Sequence, residues 1–298
     1  AEQRAEVISD AVELADSHGW DVSVLAANAS WLPIYHALGM HEIYMGDEAV
    51  VDCSEFTLEG RAMKSLRGTY NRVSKLGYRV EVHDPTEVEP ELRDALLDLM
   101  TETRQGEAER GFSMTLSRIF DPRDTGLLLA VCLAPDGRPV AFNQYVPAEH
   151  IGGWSLDLMR RTADESAPNG LTDFVVLETI LWMNKQGMRG LCLNFAVMRA
   201  VLAGELGDGP WRKIEQRTLH RFSESMQIES LWKFNEKYGP TWRPRYVVTD
   251  AKVERARAGV AIARAESVLE LPVVGRLLSP PESHPVEPST SISEERTA

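Results

Sequence analysis

W-S-L-D-L-M-R-R, at residues 154–161, has the pattern of a β-strand that leads through a loop into a helix. Asp157 and Arg160 lie three residues apart inside this strand-like run, on either side of L-M at 158–159, and A-P-N-G follows at 167–170. Buried charges cost free energy unless they are paired or bound to something. The two side chains are therefore either a buried ion pair or part of a functional site.

Strands and helices alternate on both sides of this segment. Apolar runs at 127–133 and 140–146 flank the turn P-D-G at 135–137, which predicts a β-hairpin. The other predicted strands lie at 22–27, 49–52, 78–83, 153–159, 191–195 and 245–248, and the predicted helices at 4–18, 31–38, 57–76, 87–104, 170–186, 198–206, 211–224, 228–238 and 251–268. This alternation predicts an α/β or α+β fold with a mixed sheet.

The composition favours a globular domain without metal ions or disulfides. The chain has 298 residues, 43% of them hydrophobic, which is enough for a sizeable core. Cys53, Cys132 and Cys192 lie far apart, and neither they nor the seven histidines show metal-site spacing. The longest apolar run, at 127–134, is much shorter than the roughly 20 residues that span a bilayer. Without a signal peptide, and beginning in mid-pattern, the chain is expected to be a soluble piece of a longer protein.

Basic residues cluster in one predicted helix of this acidic chain. The net charge of −13 disfavours nucleic acid and anionic membranes as partners unless the positive charges are concentrated in one place. On the helix at 57–76, five basic side chains fall within an arc of roughly 140°, opposite an apolar side. They are Arg61, Lys64, Arg67, Arg72 and Lys75. This pattern fits either a solvated helix face or a surface that binds the phosphates of nucleic acid or lipid.

A series of ordered motifs covers residues 30–250. They are Y-H-A-L-G-M at 35–40, G-D-E-A-V-V-D at 46–52, F-T-L-E-G-R-A-M-K-S-L-R at 56–67, E-R-G-F-S-M at 109–114, S-L-D-L-M-R-R at 155–161, P-N-G at 168–170, L-N-F-A at 193–196, Q-I-E-S-L at 227–231 and N-E-K-Y-G-P-T-W-R-P-R-Y at 235–246. In this order they resemble the C-terminal domain of MprF-type phosphatidylglycerol lysyltransferases. The resemblance is to actinobacterial members, including the MprF-like part of bifunctional lysyl-tRNA synthetase/lysyltransferase proteins. Asn235 departs from many members, which have a lysine there.

The resemblance implies two tandem GNAT-like halves, the acetyltransferase type of fold. It divides the chain into the remainder of an incomplete first half at 1–56, a basic connecting helix at 57–77, a second half with the active site at 78–250, a C-terminal helix at 251–278 and a tail at 279–298. The Pro-, Ser- and Glu-rich composition of the tail predicts disorder. The resemblance also implies an N-terminal transmembrane region that is absent from this chain.

The resemblance further implies an aminoacyltransferase that uses aminoacyl-tRNA as co-substrate and no other cofactor. By transesterification it moves an amino acid onto the hydroxyl of a membrane lipid, either phosphatidylglycerol or diacylglycerol. Lysine and alanine are favoured, with arginine and ornithine left open. The implied location is the cytoplasmic face of a bacterial cell membrane, where the product reduces the binding of cationic antimicrobial peptides.

By the same resemblance, three residues are assigned to catalysis. Asp157 holds the α-ammonium group or accepts a proton, Arg160 holds a phosphate or the ester oxygen, and Lys237 matches a family lysine near the site. Carboxylates and forked guanidinium donors suit these tasks. The residues expected to bind substrate are Asn169, Asp173, Asn194, Glu229 and Arg245. The five basic side chains of the helix at 57–76 are expected to bind tRNA or phosphate.

Three alternatives compete with this assignment. An acetyl-CoA-dependent enzyme would need a pyrophosphate-binding loop of the type R/Q-x-x-G-x-G/A, and the nearest string, R-D-T-G-L-L at 123–128, fails at its last position. A Fem-like enzyme, which transfers amino acids to peptidoglycan precursors, shares the tandem fold. A non-catalytic module that binds tRNA or membrane would keep the basic helix, but it would not need Asp157, Arg160 and Lys237 together.

Overall fold

Eight β-strands form one mixed sheet in the computed structural model, which describes residues 2–104, 119–197 and 228–250. The strands are β1 (Ser23–Asn28), β2 (Met40–Asp52), β3 (Arg79–His83), β4 (Leu128–Leu133), β5 (Pro139–Ala148), β6 (Gly153–Arg161), β7 (Gly190–Val197) and β8 (Thr241–Asp250). Their order across the sheet is β1-β8-β2-β7-β6-β5-β4-β3. Neighbouring strands are antiparallel except β6 and β7, which are parallel. The predicted mixed α/β fold class is confirmed.

Helices lie against both faces of this sheet. In the described ranges they are α1 (Glu2–Ser17), α2 (Leu32–Ala37), α3 (Lys64–Lys75), α4 (Pro90–Arg104), α5 (Leu171–Lys185) and α6 (Ile228–Glu236), with 3-10 turns at Ala29–Trp31, Pro85–Glu87 and Glu149–Ile151. Helix α5 connects the parallel strands β6 and β7, as parallel pairs require. It is apolar on nearly all sides and largely buried, because α3 packs against its other side.

The two faces of the sheet have separate apolar cores. Every residue of β4 is buried, yet Leu128 and Ala130 pack with α3 and α5, whereas Leu129 and Val131 pack with α4. Successive side chains of a strand point to opposite faces, so one continuous apolar run contributes to both cores. We call the two sides of the sheet the α5 face and the α4 face.

Two strands are longer than the sequence predicted. Strand β2 begins at Met40 and not at 49, and β8 covers Thr241–Asp250 and not only 245–248. The two strands pair with each other along most of their length through backbone hydrogen bonds. The early part of β2 carries exposed polar side chains, such as His41 and Glu42. A search for apolar runs misses such residues, because their strand conformation depends on the neighbouring backbone.

The basic helix is shorter than predicted, since α3 begins at Lys64 and not at 57. The residues before it form turns, and the Arg67 guanidinium holds them: its Nη1 donates hydrogen bonds to the carbonyl oxygens of Leu58, at 2.5 Å, and Gly60, at 3.1 Å. Gly60 has a φ of +85°, which is incompatible with a right-handed helix. The amphipathic pattern therefore extends further along the chain than the helix itself.

Several predictions fall outside the described residues, namely the helices at 198–206, 211–224 and 251–268 and the tail at 279–298. The division into an incomplete first half and a complete second half stays a prediction. Within the sheet, β1 and β2 of the first predicted half pair with β8 and β7 of the second. Residues assigned to both halves are therefore hydrogen-bonded neighbours in one sheet.

Candidate active site

Asp157 is the extra residue of a β-bulge in β6. Tyr145 pairs with Leu156 and Gln144 pairs with Leu158, so consecutive residues of β5 lie opposite residues that are two apart in β6. A bulge leaves its extra residue outside the regular pairing and changes the direction of its side chain. The Gln144 Nε2 donates a hydrogen bond of 2.8 Å to the Asp157 Oδ2. The bulge and this hydrogen bond together set the position of the carboxylate.

The Asp157 carboxylate lies on the α4 face. Gln144 is paired with Leu129, which belongs to the α4-face core, and directly opposed residues project to the same side of a sheet. Arg160 is paired with Phe142, another residue of that core. The structure thus places Asp157, at the middle of β6, and Arg160, near its end, on one face of the sheet.

Strands β6 and β7 separate just before Asp157. Their pairing ends at Ser155 and Cys192, and no further pair follows over the described length of both strands. Asp157 and Asn194 each lie two residues beyond this last pair, so both border the opening between the strands. Asn194 has a φ of +72° next to a register shift between β2 and β7, which indicates a second bulge. Asparagine is one of the few residues that adopt this φ readily.

A buried ion pair lies between β2 and β8. The side chains of Glu48 and Arg245 are 9% and 12% exposed, and the Arg245 Nη2 donates to the Glu48 Oε2 at 2.5 Å. The Nε2 of His150 lies 3.5 Å from the Glu48 Oε1 and 3.2 Å from the Arg245 Nη2. Arg245, which was predicted to bind substrate, therefore already has a carboxylate partner.

Glu48 was not predicted as a site residue. Ala49 and Val51 belong to the α5-face core, whereas Val50 packs with a small cluster on the other side of the sheet. Alternation along β2 therefore places Glu48 on the α4 face with Val50. The available signal was a glutamate directly before the buried A-V-V run, since a charge at a buried strand position needs a partner.

Asp173 and Lys237 form a separate cluster on the α5 face. Asp173 lies in the first turn of α5, and its Oδ1 accepts hydrogen bonds from the Lys237 Nζ at 2.5 Å and from the Tyr238 hydroxyl at 2.7 Å. Burial, and secondly the charge of Asp173, raise the pKa of Tyr238 well above its usual value, so the hydroxyl remains a neutral donor. The Lys237 Nζ also lies 4.4 Å from the centre of the Phe234 ring. These contacts join the end of α6 to the start of α5.

Asn169 lies at the junction between α3 and α5. The Arg72 Nη2 donates a hydrogen bond of 2.9 Å to the Asn169 backbone oxygen. Gly170 follows with a φ of +90°, and a Cβ atom at this position would lie 2.4 Å from the Thr69 Cγ2. Only glycine fits this approach, so the P-N-G sequence at 168–170 lets α3 and α5 pack closely. A substrate contact of Asn169 stays a prediction.

The five cations predicted for the basic helix are in different environments, and Arg61 lies in the turns before α3. Arg61, Lys64 and Lys75 are exposed to solvent. Arg67 and Arg72 donate to backbone carbonyl oxygens: Arg67 holds the turns before α3, and Arg72 holds the loop before α5. The exposed cations are therefore free of these structural contacts and accessible to phosphate. Glu229, another predicted substrate-binding residue, lies in α6, but its side chain is outside the described part of the chain.

The cysteines have the properties of buried thiols. Cys53, Cys132 and Cys192 are all buried, and burial raises the pKa of each thiol to about 12. The charge of Glu48 contributes to the shift of Cys192. A thiol with such a pKa stays protonated near neutral pH and is a poor nucleophile. These residues therefore contribute packing, and an attacking thiolate is disfavoured.

The described parts of the chain contain neither a metal-binding cluster nor a membrane-spanning helix. Within residues 2–104, 119–197 and 228–250, no group of three or more His, Cys, Asp or Glu side chains is arranged to hold a metal ion. In the same ranges, no helix has both the length and the apolar character needed to cross a bilayer. The expectation that the reaction uses no metal stays a prediction.

The chain matches one protein family over most of its length. Residues 1–249 match the family described as phosphatidylglycerol lysyltransferase, C-terminal. The lysylphosphatidylglycerol biosynthesis bifunctional protein LysX of Rhodococcus opacus is 36% identical over 265 residues, which are 88% of this chain and 24% of that protein. The protein of the same name from Mycobacterium marinum is 34% identical over 279 residues, 93% of this chain and 25% of that protein. The chain thus spans about a quarter of the length of these relatives.

Solved structures share the fold of this chain. L-PGS from Bacillus licheniformis has a TM-score of 0.74 and 26% sequence identity, and the match covers 88% of this chain and 78% of that chain. The C-terminal domain of a putative lysylphosphatidylglycerol synthetase from Agrobacterium fabrum has a TM-score of 0.69 over 89% of this chain and 76% of that chain, but at 23% identity it supports the fold alone. The resemblance carried by the sequence motifs is confirmed, and this chain belongs to the phosphatidylglycerol lysyltransferase C-terminal family.

Proposed function

We propose that this chain transfers an aminoacyl group, lysyl in the first instance, from aminoacyl-tRNA to a hydroxyl of phosphatidylglycerol at the cytoplasmic face of a bacterial membrane. Membership of the family and the names of the actinobacterial relatives support this reaction. The observation that carries the proposal is the position of Asp157. Its carboxylate is set by a bulge and by Gln144 beside the opening between β6 and β7.

The proposed reaction needs no covalent enzyme intermediate. The lipid hydroxyl oxygen attacks the carbonyl carbon of the aminoacyl ester, and the tetrahedral intermediate then expels the 3′-terminal ribose oxygen of the tRNA. The proton lost by the lipid hydroxyl passes to this ribose oxygen, so one ester bond forms as the other breaks. A protein accelerates such a step by placing charges where the transition state develops charge. The high pKa values of the three thiols, about 12, accord with a path that uses no cysteine nucleophile.

Asp157 and Arg160 are assigned to the reacting groups. The carboxylate binds the α-ammonium group of the amino acid or accepts the proton in transfer, and the guanidinium on the same face binds the ester oxygen or a phosphate. Asn194 borders the same opening and is assigned to the aminoacyl group. Arg245, whose charge Glu48 already balances, is assigned to holding β8 against β2 beside this opening.

Lys237, which the resemblance placed among the catalytic residues, is assigned to a structural role. Its Nζ is bound to Asp173 on the α5 face, whereas Asp157 lies on the α4 face. The pair connects α6 with the first turn of α5, where the negative charge of Asp173 also interacts favourably with the helix dipole. Both residues therefore contribute to the site through the placement of α5, which connects β6 to β7.

The exposed cations near α3 are assigned to tRNA. Arg61, Lys64 and Lys75 give an otherwise acidic chain a local positive surface, against a net charge of −13. Phosphate contacts release counterions from the nucleic acid, so the affinity is expected to fall steeply as salt concentration rises. A solvated helix face with no partner would show no such binding.

Lipid analysis tests the proposed reaction. The chain is joined to a transmembrane segment and expressed in a bacterial host that makes phosphatidylglycerol but no aminoacylated form of it. Mass spectrometry of the extracted lipids is expected to show a new aminoacyl-phosphatidylglycerol, and its mass identifies the amino acid. Asp157→Asn is expected to abolish the product, whereas Asp136→Asn, the same change in the exposed β4–β5 turn, is expected to leave it unchanged.

Other products would overturn the proposal in distinguishable ways. If the wild-type chain reaches the membrane and binds tRNA but yields no new lipid, transfer to phosphatidylglycerol is wrong. An aminoacylated peptidoglycan precursor in the same cells would establish the Fem-like reaction. Binding of tRNA without any aminoacylated product would indicate a non-catalytic module.

A further inference from the structure

We infer that Gln144 is a positioning residue for the transfer reaction, whose side-chain amide holds the Asp157 carboxylate in its working orientation. The inference rests on the function proposed above and names a residue that no motif indicated. In the sequence, A-F-N-Q-Y-V at 141–146 has the pattern of an ordinary hairpin strand. The role becomes visible only from the contacts of Gln144 within the sheet.

Burying an amide side chain at position 144 costs free energy. Gln144 is fully buried, and it is paired with Leu129 on one side and Leu158 on the other. Removing an amide from water costs free energy unless hydrogen bonds replace those to water. An apolar side chain would fill the same space without that cost. The hydrogen bond that its Nε2 donates to Asp157 offsets part of this cost and gives a reason for an amide here.

The bulge explains why the Asp157 side chain needs this hydrogen bond to fix its orientation. In a regular strand the pairing on both sides fixes where each side chain points, but the extra residue of a bulge lacks that constraint. Asp157 is the extra residue, and pairing between β6 and β7 has already ended at Ser155. A side chain that must meet a substrate atom needs its orientation set by neighbouring groups. The Gln144 amide, on the adjacent strand β5, supplies such a contact at 2.8 Å.

The neutrality of the amide matters as much as its position. A lysine or arginine at 144 would also donate a hydrogen bond, but its positive charge would compete with an ammonium group of the substrate. The glutamine Nε2 donates without adding charge, so this contact leaves the carboxylate as attractive to a cation as before. Asp173 shows the contrasting arrangement, since its partner Lys237 brings a positive charge.

The first test removes the donor and keeps the shape. Gln144→Met has nearly the same length and no hydrogen bond to give, so kcat/KM for lysyl transfer to phosphatidylglycerol vesicles is expected to fall about 10- to 100-fold. The matched control is Gln186→Met at the exposed end of α5, which is expected to leave the rate unchanged. A folded Gln144→Met protein with a rate within about threefold of the wild type would overturn the inference.

The second test uses Gln144→Glu to separate positioning from packing. When the introduced carboxyl group is protonated it donates to Asp157, and when it is ionised it repels Asp157. The activity of this variant relative to the wild type is therefore expected to rise as pH falls, whereas that of Gln144→Met is expected to stay flat. A purely structural role would lower activity to the same extent at every pH, so a flat ratio for Gln144→Glu would also overturn the inference.

A binding measurement keeps the inference testable if the proposed reaction fails. Calorimetry with L-lysine methyl ester, an aminoacyl ester without tRNA, is carried out on the wild type, Gln144→Met, Asp157→Asn and the double variant. The glutamine substitution is expected to weaken binding about tenfold when Asp157 is present and to add nothing when it is absent. Equal effects in both backgrounds would show that Gln144 does not act through Asp157. Missing lipid product from the wild type counts against the reaction alone.

Discussion

Asp157 and Asp173 are held in contrasting ways on the two faces of one sheet. Asp157 accepts a hydrogen bond from Gln144, and the two residues lie on adjacent strands, 13 positions apart in the chain. Asp173 accepts from Lys237 and Tyr238, which come from a segment 64 and 65 positions further along. The first contact orients a carboxylate without adding charge, whereas the second neutralises a carboxylate and connects two helices.

This difference indicates that the two aspartates have different roles, Asp157 in the reaction and Asp173 in stability. Breaking the Gln144–Asp157 contact leaves the backbone pairing of β5 and β6 in place, so the expected effect is on substrate binding and transfer. Breaking the Asp173–Lys237 contact releases the end of α6 from α5, so the expected effect is on stability. Asp157 and Asp173 are close in the sequence, but we expect them to have different roles.

The largest effect is expected from crowding the junction on the α5 face. Gly170→Ala adds a Cβ atom 2.4 Å from the Thr69 Cγ2 at a φ of +90°, so it is expected to lower the free energy of unfolding by about 3 kcal/mol. Gly137→Ala is the matched control, with a φ of +89° and open space around it, and is expected to cost only about 1 kcal/mol. Urea unfolding measures both.

Adding Thr69→Ser tests the cause of this loss. Serine lacks the Cγ2 atom that the new methyl group would meet, so part of the stability lost by Gly170→Ala is expected to return. Equal losses for Gly170→Ala and Gly137→Ala would mean that α3 and α5 are not closely packed at this junction.

A moderate effect is expected from replacing each carboxylate by its amide. Asp173→Asn removes the charge partner of Lys237 and is expected to lower the free energy of unfolding by about 1.5 kcal/mol, because the pair is only partly exposed. Asp157→Asn keeps an oxygen that accepts from Gln144, so its effect on the free energy of unfolding is expected to be smaller than that of Asp173→Asn. Equal destabilisation by both substitutions would remove the contrast drawn between the two faces.

A smaller effect is expected from alkaline pH at Tyr238. Burial, and then the charge of Asp173, raise the pKa of this phenol in the folded protein, so above about pH 10 the unfolded state loses a proton that the folded state keeps. The free energy of unfolding is therefore expected to decrease with rising pH, by up to about 1.4 kcal/mol per pH unit from this group. Urea titrations between about pH 9 and 11 measure the slope. Tyr238→Phe is expected to make it shallower, and identical slopes would contradict the assignment.

The smallest effect per residue is expected at the exposed cations of α3. Lys64→Gln and Lys75→Gln are each expected to weaken tRNA binding a few-fold at low salt and to reduce its salt dependence, without changing stability. Arg72→Gln removes the hydrogen bond to the Asn169 backbone and is expected to lower stability instead. Filter binding and urea unfolding separate the two outcomes. Unchanged binding in the lysine variants would mean that the basic side of α3 is a solvated helix face without a nucleic-acid partner.

Much of the fold was predictable because its elements carry local signals. The β4–β5 hairpin follows from two apolar runs around P-D-G, and the crossover helix α5 from a long apolar segment after G-L at 170–171. The errors have physical causes in their surroundings. Strands β2 and β8 exceed their apolar runs because they stabilise each other by backbone pairing, and α3 begins late because Gly60 adopts a positive φ.

The candidate site was predictable only in part. A charge beside apolar strand residues indicates Asp157 in the sequence, a similar signal is present at Glu48, and Gln144 carries no signal at all. The three predicted catalytic residues also lie on opposite faces of the sheet, Asp157 and Arg160 on the α4 face and Lys237 on the α5 face. For residues in different elements, sequence distance and family motifs carry no information about the side of the sheet on which each residue lies.

The sequence by itself determined the family, the mixed α/β class, the positions of most strands and the presence of a charged segment at 154–161, because each depends on local pattern or on ordered motifs. Only the tertiary structure decided which charges are neighbours. The bulge at Asp157 shifts the alternation of β6 by one residue, and a shift of one residue moves a side chain to the opposite face. Register between strands that are distant in sequence thus sets the geometry of the site.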